Sequence, residues 1–570
     1  MAAMAMAMAG LMNGERAVVL LFIGRVLFSL PLSLLFHGIA LSLLALSALS
    51  LDILADSSTS LAQFNTRPGA SSGILLGAVT LPAVVISKMI QLSRAFSLDQ
   101  VGIEELESLT LQYWAASASC LSVLIFLCIT LWRAPENMPP PPAHNVWHAK
   151  FSLSCIILHT AVSFVTFGTV SLTSFETALK LLWMLCHGLA AVKLIQHVIK
   201  TFPSCASIGE SCLVTSGLVL YFGDMLAYTI EKVSGFTMKS EVVQYGSKRS
   251  EISIIIQGLL LGLLLFPMVF KFVLRIWEST FSTARSEVRT NNEIWRSLIF
   301  FSSLGFIMIV IIPSWMQLVQ DFHMHPLLWV LSFIFSEPLK RLSLCVYWMC
   351  VIYVSVLRFY NISKNSKIER ILLRKYYHLM AVSMFLPALI FQPEFLDLSF
   401  GAALAVFLAL EIIRVWRIWP LGQSIHKFMN AFTDHRDSDL LIVSHFSLLL
   451  GCALPIWMSS GYNDRPLAPF SGILSLGIGD TMASVVGHKY GVLRWSKTGK
   501  KTIEGTAAGI TSVLAACSVL LPLLASTGYI LTEHWGSLLV AVTVSGLLEA
   551  YTAQLDNAFI PLIFYSLLCL

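Results

Sequence analysis

The strongest constraint on this chain is a series of long apolar blocks with no ionisable carboxylate, ammonium or guanidinium inside them. Ile252 to Val269 and Leu440 to Met458 contain no Asp, Glu, Lys or Arg. Neither is an amphipathic stripe, and stretches of roughly 18 or more such residues are long enough to cross a bilayer as helices. Charged residues make up only 12% of the 570, against about 25% in a soluble domain. A water-soluble particle of this size would lack the polar surface to cover itself. The expected fold is all-α: a polytopic integral membrane protein with about 13 to 16 transmembrane helices.

Other classes fall away on charge and cysteine usage. The net charge is +5, and no dense basic run with interleaved aromatics suggests a nucleic-acid partner. The excess of Lys and Arg is better used to set membrane orientation. The 11 cysteines are scattered through apolar segments without a CxxC pair, so neither a zinc site nor a disulfide framework is indicated. The stretch Ala17 to Leu51 is too long for a cleaved signal sequence and reads as one or two membrane anchors.

The chain divides by character. Residues 1–360 have few intramembrane polar groups and read as a multi-span scaffold. In 361–570, charges and glycines gather in particular loops. Lys364, Lys367, Arg370, Arg374 and Lys375 form a basic segment that the positive-inside rule puts on the cytoplasmic side. Counting spans onward, loops 419–439 and 488–504 and Asp556 return to that same side, while the opposite turns are short and poor in Lys and Arg. One cytoplasm-facing site is the economical explanation.

The most informative stretch runs from Gly477 to Thr506. A helix there puts Asp480, Ala483 or Ser484, Gly487 and Gly491 along one face, and the small residues leave room for another backbone or for a ligand. A carboxylate such as Asp480 in an apolar span costs at least about 2.5–3.5 kcal/mol unless paired, metal-bound or facing water. Beyond Gly491, a Gly-containing turn with Lys500 and Lys501 could offer N–H groups and positive charge to phosphate oxygens. Thr502, Glu504 and Gly505 sit at the mouth of the next helix. Glu504 there is either a capping carboxylate or a magnesium ligand.

Spelled out, the run is Asp480, two residues, Ala483, three, Gly487, three, Gly491, eight, then Lys500-Lys501-Thr502-Ile503-Glu504-Gly505. It resembles the CTP-binding signature of the dolichol kinase family. Asp434-His-Arg436-Asp437-Ser438 resembles that family's Asp-x-Arg-Asp-Ser loop, with Asp439 where a Gly is usual. Glu549 through Asp556-Asn557 resembles its closing motif, and Arg374-Lys375-Tyr-Tyr-His378 its entry motif. The likeness covers about 366–570. It implies transfer of the γ-phosphate of CTP to the terminal hydroxyl of dolichol, at the cytoplasmic face of the endoplasmic reticulum membrane, with Mg²⁺ or another divalent cation as cofactor.

On that reading Asp480, Lys500 and Lys501 are the catalytic candidates. Ala483, Gly487, Gly491, Lys500, Lys501, Thr502, Glu504 and Gly505 are the nucleotide-binding ones. Asp480, Glu504, Glu549 and Asp556 are the metal-binding carboxylates, and Asp434, Arg436 and Asp437 are further candidates. A phytol, farnesol or other polyprenol kinase on the same fold is the near alternative. A transporter is the distant one, and would show polar residues across many spans. Familiar kinase motifs are missing. No GxxxxGK[ST] occurs, and His435-Arg436-Asp437 has Ile442 where a protein kinase needs Asn.

Overall fold

The computed structural model describes residues 13–56, 71–132, 143–170, 174–202, 205–237, 249–281, 289–365, 370–430, 437, 441–495, 501–528 and 534–570. Among them the fold is all-α, as expected: every regular element is a helix, and the sole extended pairing is an isolated bridge between Arg494 and Thr502. Inside a bilayer there is no water to satisfy backbone polar groups, so a spanning segment must make its own hydrogen bonds. Eleven of the described helices are long and apolar enough to cross a membrane, and five further apolar helices are shorter, at 10–17 residues. This is a multi-pass membrane protein.

In chain order the helices are α1 (Gly14–Phe28), α2 (Leu35–Asp56), α3 (Ile74–Ser97), α4 (Ile103–Trp132), α5 (Ala143–Val170), α6 (Ser174–Thr201) and α7 (Ile208–Thr237). Then follow α8 (Glu251–Phe281), α9 (Arg289–Phe306), α10 (Ile312–Val319), α11 (Pro326–Ser336), α12 (Pro338–Asn365), α13 (Arg370–Phe391), α14 (Pro393–Trp416) and α15 (Gly422–Asn430). The last five are α16 (Val443–Met458), α17 (Thr481–Tyr490), α18 (Ile503–Ser526), α19 (Trp535–Tyr551) and α20 (Asp556–Leu568). Several ends are marked in the sequence. Asn13 caps α1 by accepting from Arg16 N at 2.8 Å, and Pro326, Pro338 and Pro393 open their helices, where a missing N–H costs nothing. His325 caps α11: its ring nitrogen accepts from Leu327 N at 3.3 Å.

The chain forms two compact units. One comprises residues up to Asp224, Phe359–Leu386 and Gly451–Leu570. In it α3 is enclosed by α1, α2, α4 and α20. Its start lies so close to the start of α7 that a Cβ on Gly77 would fall 2.2 Å from the Gly209 carbonyl oxygen, a backbone approach that small residues permit. The other unit is Met225–Arg358 with Pro387–Leu450. Its α8 packs on α14, with Phe266, Phe270, Phe300 and Trp416 clustered edge-to-face and tilted. Within α14 the fully buried Arg414 makes two hydrogen bonds to Glu411, at 2.7 and 2.8 Å. Glu411 also accepts from Ile442 N at 2.9 Å, so this pair of charges is spent on holding a chain entry.

Candidate active site

Asp480 is the focus of the first unit's polar interior. The segment before it is not α-helical: Ile473–Asp480 winds as a wide π-helix that passes directly into α17. Such widened turns recur at functional sites because they re-aim the side chains that follow. Glycines let it thread between neighbours. A Cβ on Gly472 would lie 2.1 Å from the Gly451 carbonyl oxygen, and one on Gly477 would lie 2.2 Å from the Val382 side chain.

The Asp480 carboxylate is 3% exposed and meets two groups of α13. Lys375 Nζ pairs with Oδ2, and His378 Nδ1 stands 3.2 Å from the same oxygen. That imidazole nitrogen also lies 3.1 Å from the Leu476 carbonyl oxygen. Facing two oxygens, it carries the hydrogen. Ser484 hydroxyl donates to Oδ1 at 3.5 Å. Lys375 and His378 fall three residues apart, on one helical face. In the sequence both belong to the entry motif, and Lys375 also to the basic run that sets orientation, but neither stands out there as a site residue.

The expected nucleotide loop is a narrow hairpin. Ile503 N donates to Leu493 O at 2.8 Å, and Trp495 N to Lys501 O at 3.3 Å. Thr502 caps α18, its hydroxyl oxygen accepting from Gly505 N at 3.2 Å. The Glu504 carboxylate accepts from Leu493 N at 3.0 and 3.2 Å, which locks the two arms together. Trp495 donates through its ring nitrogen to Thr506 at 2.9 Å and stacks at a tilt on Tyr551. Lys500 lies outside the described residues.

The small-residue face meets backbone. A Cβ on Gly505 would fall 2.6 Å from the Ala483 carbonyl oxygen, and one on Gly491 would fall 2.6 Å from the Thr502 side chain. Gly487 Cα lies 3.1 Å from the same imagined Gly505 Cβ. Ala483, Gly487 and Gly491 thus let α17 settle on the start of α18. Of the two uses the sequence allowed, the packing one is occupied.

Lys501 turns toward the opposite wall. Its Nζ donates to the Glu549 carbonyl oxygen and stands 3.3 Å from Asp556 Oδ2. Burial opposes its charge, but Asp556, Glu549 and Asp480 together outweigh that and hold its pKa above the ordinary lysine value. Glu549 lies within electrostatic reach of Asp480, Lys501, Asp556 and Lys375. Three of the four expected metal carboxylates (Asp480, Glu549 and Asp556) therefore gather around Lys501 and Lys375, while Glu504 is occupied by the hairpin backbone. Asp437 is half-buried. Asp434 and Arg436 lie outside the described residues.

Comparison with known proteins covers the same ground. Residues 154–511 match the family model described as Dolichol kinase, a stretch that includes Lys375, His378, Asp480 and Lys501. The dolichol kinase EVAN of Arabidopsis thaliana is 64% identical over 563 residues, 98% of each chain. Human dolichol kinase is 29% identical over 532 residues, 89% of this chain and 87% of its own. The dolichol kinase sec59 of Schizosaccharomyces pombe is 33% identical over 285 residues, 47% of this chain and 54% of its own. No solved structure matches. With near-complete coverage at that identity, and a family model spanning more than half its length, the chain belongs to the dolichol kinase family.

Proposed function

We propose that this protein phosphorylates the terminal hydroxyl of dolichol, with CTP as donor and a divalent cation, Mg²⁺, as cofactor, at the cytoplasmic face of the endoplasmic reticulum membrane. The observation that carries the reading is the placement of Asp480. A buried carboxylate ends an apolar helical segment, flanked by Lys375 and His378 and within electrostatic reach of Lys501 and Glu549. Apolar surroundings suit a lipid alcohol there, and the neighbouring ammonium groups suit phosphate oxygens.

The dolichol hydroxyl oxygen attacks the terminal phosphorus. As that bond forms, the bond from phosphorus to the β-phosphate oxygen breaks, and CDP departs with the electron pair. The hydroxyl proton passes to the Asp480 carboxylate, which Lys375 and His378 hold in place. Charge spreads over the equatorial phosphate oxygens in such a transfer, so the protein's work is positioning and electrostatic stabilisation. Lys501, with Lys500 beside it in sequence, supplies the positive charge.

The carboxylates suit a hard divalent cation. The Glu549 carboxylate lies within electrostatic reach of Lys501 and Lys375, and Asp556 meets Lys501 through Oδ2. Among the described residues no three His, Cys, Asp or Glu side chains are grouped to hold a metal alone. Glu549 and Asp556 would hold it, with remaining ligands from phosphates and water, as Mg²⁺ commonly takes. It would supply charge neutralisation across the nucleotide phosphates. The chemistry is assigned to 361–570. The basic run Lys364 to Lys375 supports a cytoplasmic orientation.

The test is membranes containing the protein, given γ-labelled CTP or ATP together with dolichol, phytol or farnesol, and read as label in the lipid. CTP with dolichol should label best. Preference for ATP would overturn the donor, and preference for phytol or farnesol the acceptor.

A further inference from the structure

Four residues, Thr552 to Leu555, link α19 to α20 and so join Glu549 to Asp556. Leu555 stands at the N-cap of α20 but makes no side-chain cap bond, and Asp556 itself faces Lys501. Gln554 N donates locally to Thr552 Oγ1 at 3.1 Å, but other polar groups of the linker are met from hundreds of positions away. Gln554 is fully buried. Its amide nitrogen donates to Ser71 Oγ at 2.8 Å and to the Ser71 carbonyl at 3.1 Å, and its carbonyl oxygen accepts from the Ser207 hydroxyl. Leu555 N donates to Glu210 Oε1 at 2.7 Å. Glu15 lies within electrostatic reach of Thr552 and Ala553.

Ser207 and Glu210 are first of all a capping box at the start of α7. Glu210 N donates to Ser207 Oγ at 3.1 Å and Ser207 N donates to Glu210 Oε2 at 2.7 Å, the reciprocal pattern that closes a helix N-terminus. Both are 1% exposed. A solvent-facing capping box needs nothing further. Here each side chain uses its remaining capacity on the 554–555 linker. Gly73, with φ +62°, clears the space: a Cβ there would sit 2.6 Å from the Gln554 amide carbon.

We propose that Ser207, Glu210 and Gln554 form a clamp that sets Asp556 against Lys501, and that they are positioning residues for phosphoryl transfer. Ser207 and Glu210 lie outside the motifs quoted above, whereas Gln554 lies within the closing one, between Glu549 and Asp556. This rests on the dolichol kinase reading above. A partner that orients a functional carboxylate typically matters 10- to 100-fold, and a displacement of about 1 Å costs similar amounts.

The experiment uses full-length protein in membranes, with Gln554→Ala, Ser207→Ala, Asp556→Asn and the doubles that combine each clamp change with Asp556→Asn. Turnover and apparent KM for nucleotide and for lipid are read, together with the rise in melting temperature that nucleotide causes in EDTA. Each clamp variant should lower turnover about tenfold or more, leave the lipid KM within about twofold, and halve the nucleotide-induced rise. In the doubles the clamp change should add nothing to Asp556→Asn, because it acts through that residue. Full multiplication of the two effects, or clamp variants with normal turnover and normal nucleotide response, would overturn the clamp. Should Gln554→Ala not accumulate, Ser207→Ala, which deletes one hydroxyl, carries the same test. Normal turnover in Asp556→Asn alone would instead strike at the site reading on which the clamp depends.

Discussion

His378 Nδ1 stands 3.2 Å from Asp480 Oδ2, and Lys375, one turn earlier on the same helix, reaches that same oxygen. Two neighbours on α13 therefore neutralise and orient the carboxylate on which the proposed transfer turns.

Removing one member of so enclosed a pair should cost stability. Lys375→Met strands Asp480 and should lower unfolding free energy by about 3–5 kcal/mol, while the double Lys375→Met, Asp480→Asn should regain most of it. Neither should transfer phosphate to lipid. Thermal unfolding in detergent and labelled-lipid assays separate the two effects. A double variant that recovers activity with stability would remove Asp480 from the chemistry.

Lys501 should remain charged throughout the range in which the enzyme can be assayed. Its folded pKa lies above the ordinary 10.5. The stabilisation from its pairing is thus complete below that value and is lost only as pH rises through the higher folded one. The apparent KM for nucleotide should stay flat from about pH 6 to 9 in the wild type, and Lys501→Ala should raise it at every pH. A rise in KM beginning near neutral pH that Lys501→Ala abolishes would contradict this.

The carboxylates should divide in a magnesium titration. Glu549→Gln should raise the Mg²⁺ concentration needed for half-maximal rate, whereas Glu504→Gln should leave it unchanged and loosen only the 493–503 hairpin. Equal shifts in both variants would return Glu504 to the metal.

Packing between α17 and α18 should tolerate no added methyl. Gly505→Ala would push a carbon to 2.6 Å from the Ala483 carbonyl oxygen and should cost about 1–3 kcal/mol. Gly24→Ala in α1, where nothing lies within 4 Å, should stay within about 1 kcal/mol of the wild type. Melting temperatures of the two variants give the comparison.

What could be read beforehand was local. Apolar length disclosed the helices, and the spacing from Asp480 to Gly505 pointed to a candidate site, because both signals are local in the chain. The partners of Asp480 were harder. Lys375 lies 105 positions earlier, and no periodicity links residues across that gap. The glycine face was visible, but its occupant was not, since Gly487 and Gly491 suit a phosphate or a backbone equally well. The apolar stretch 468–487 contains a 3₁₀ turn, a π-helix and the start of α17, which hydropathy does not distinguish. Ser207 and Glu210 carried a capping signature and nothing in it to announce a second use.

The bond between Leu555 N and Glu210 joins residues 345 positions apart. At roughly 5–20 residues per second of synthesis, α7 waits about 20–70 s after its own emergence before the linker that completes it exists. Throughout that interval the bond that Glu210 accepts from Leu555 N does not yet exist. The distance along the chain that divides the clamp is therefore also a delay, and a ribosome stalled before Gln554 leaves an inserted protein with an open interior.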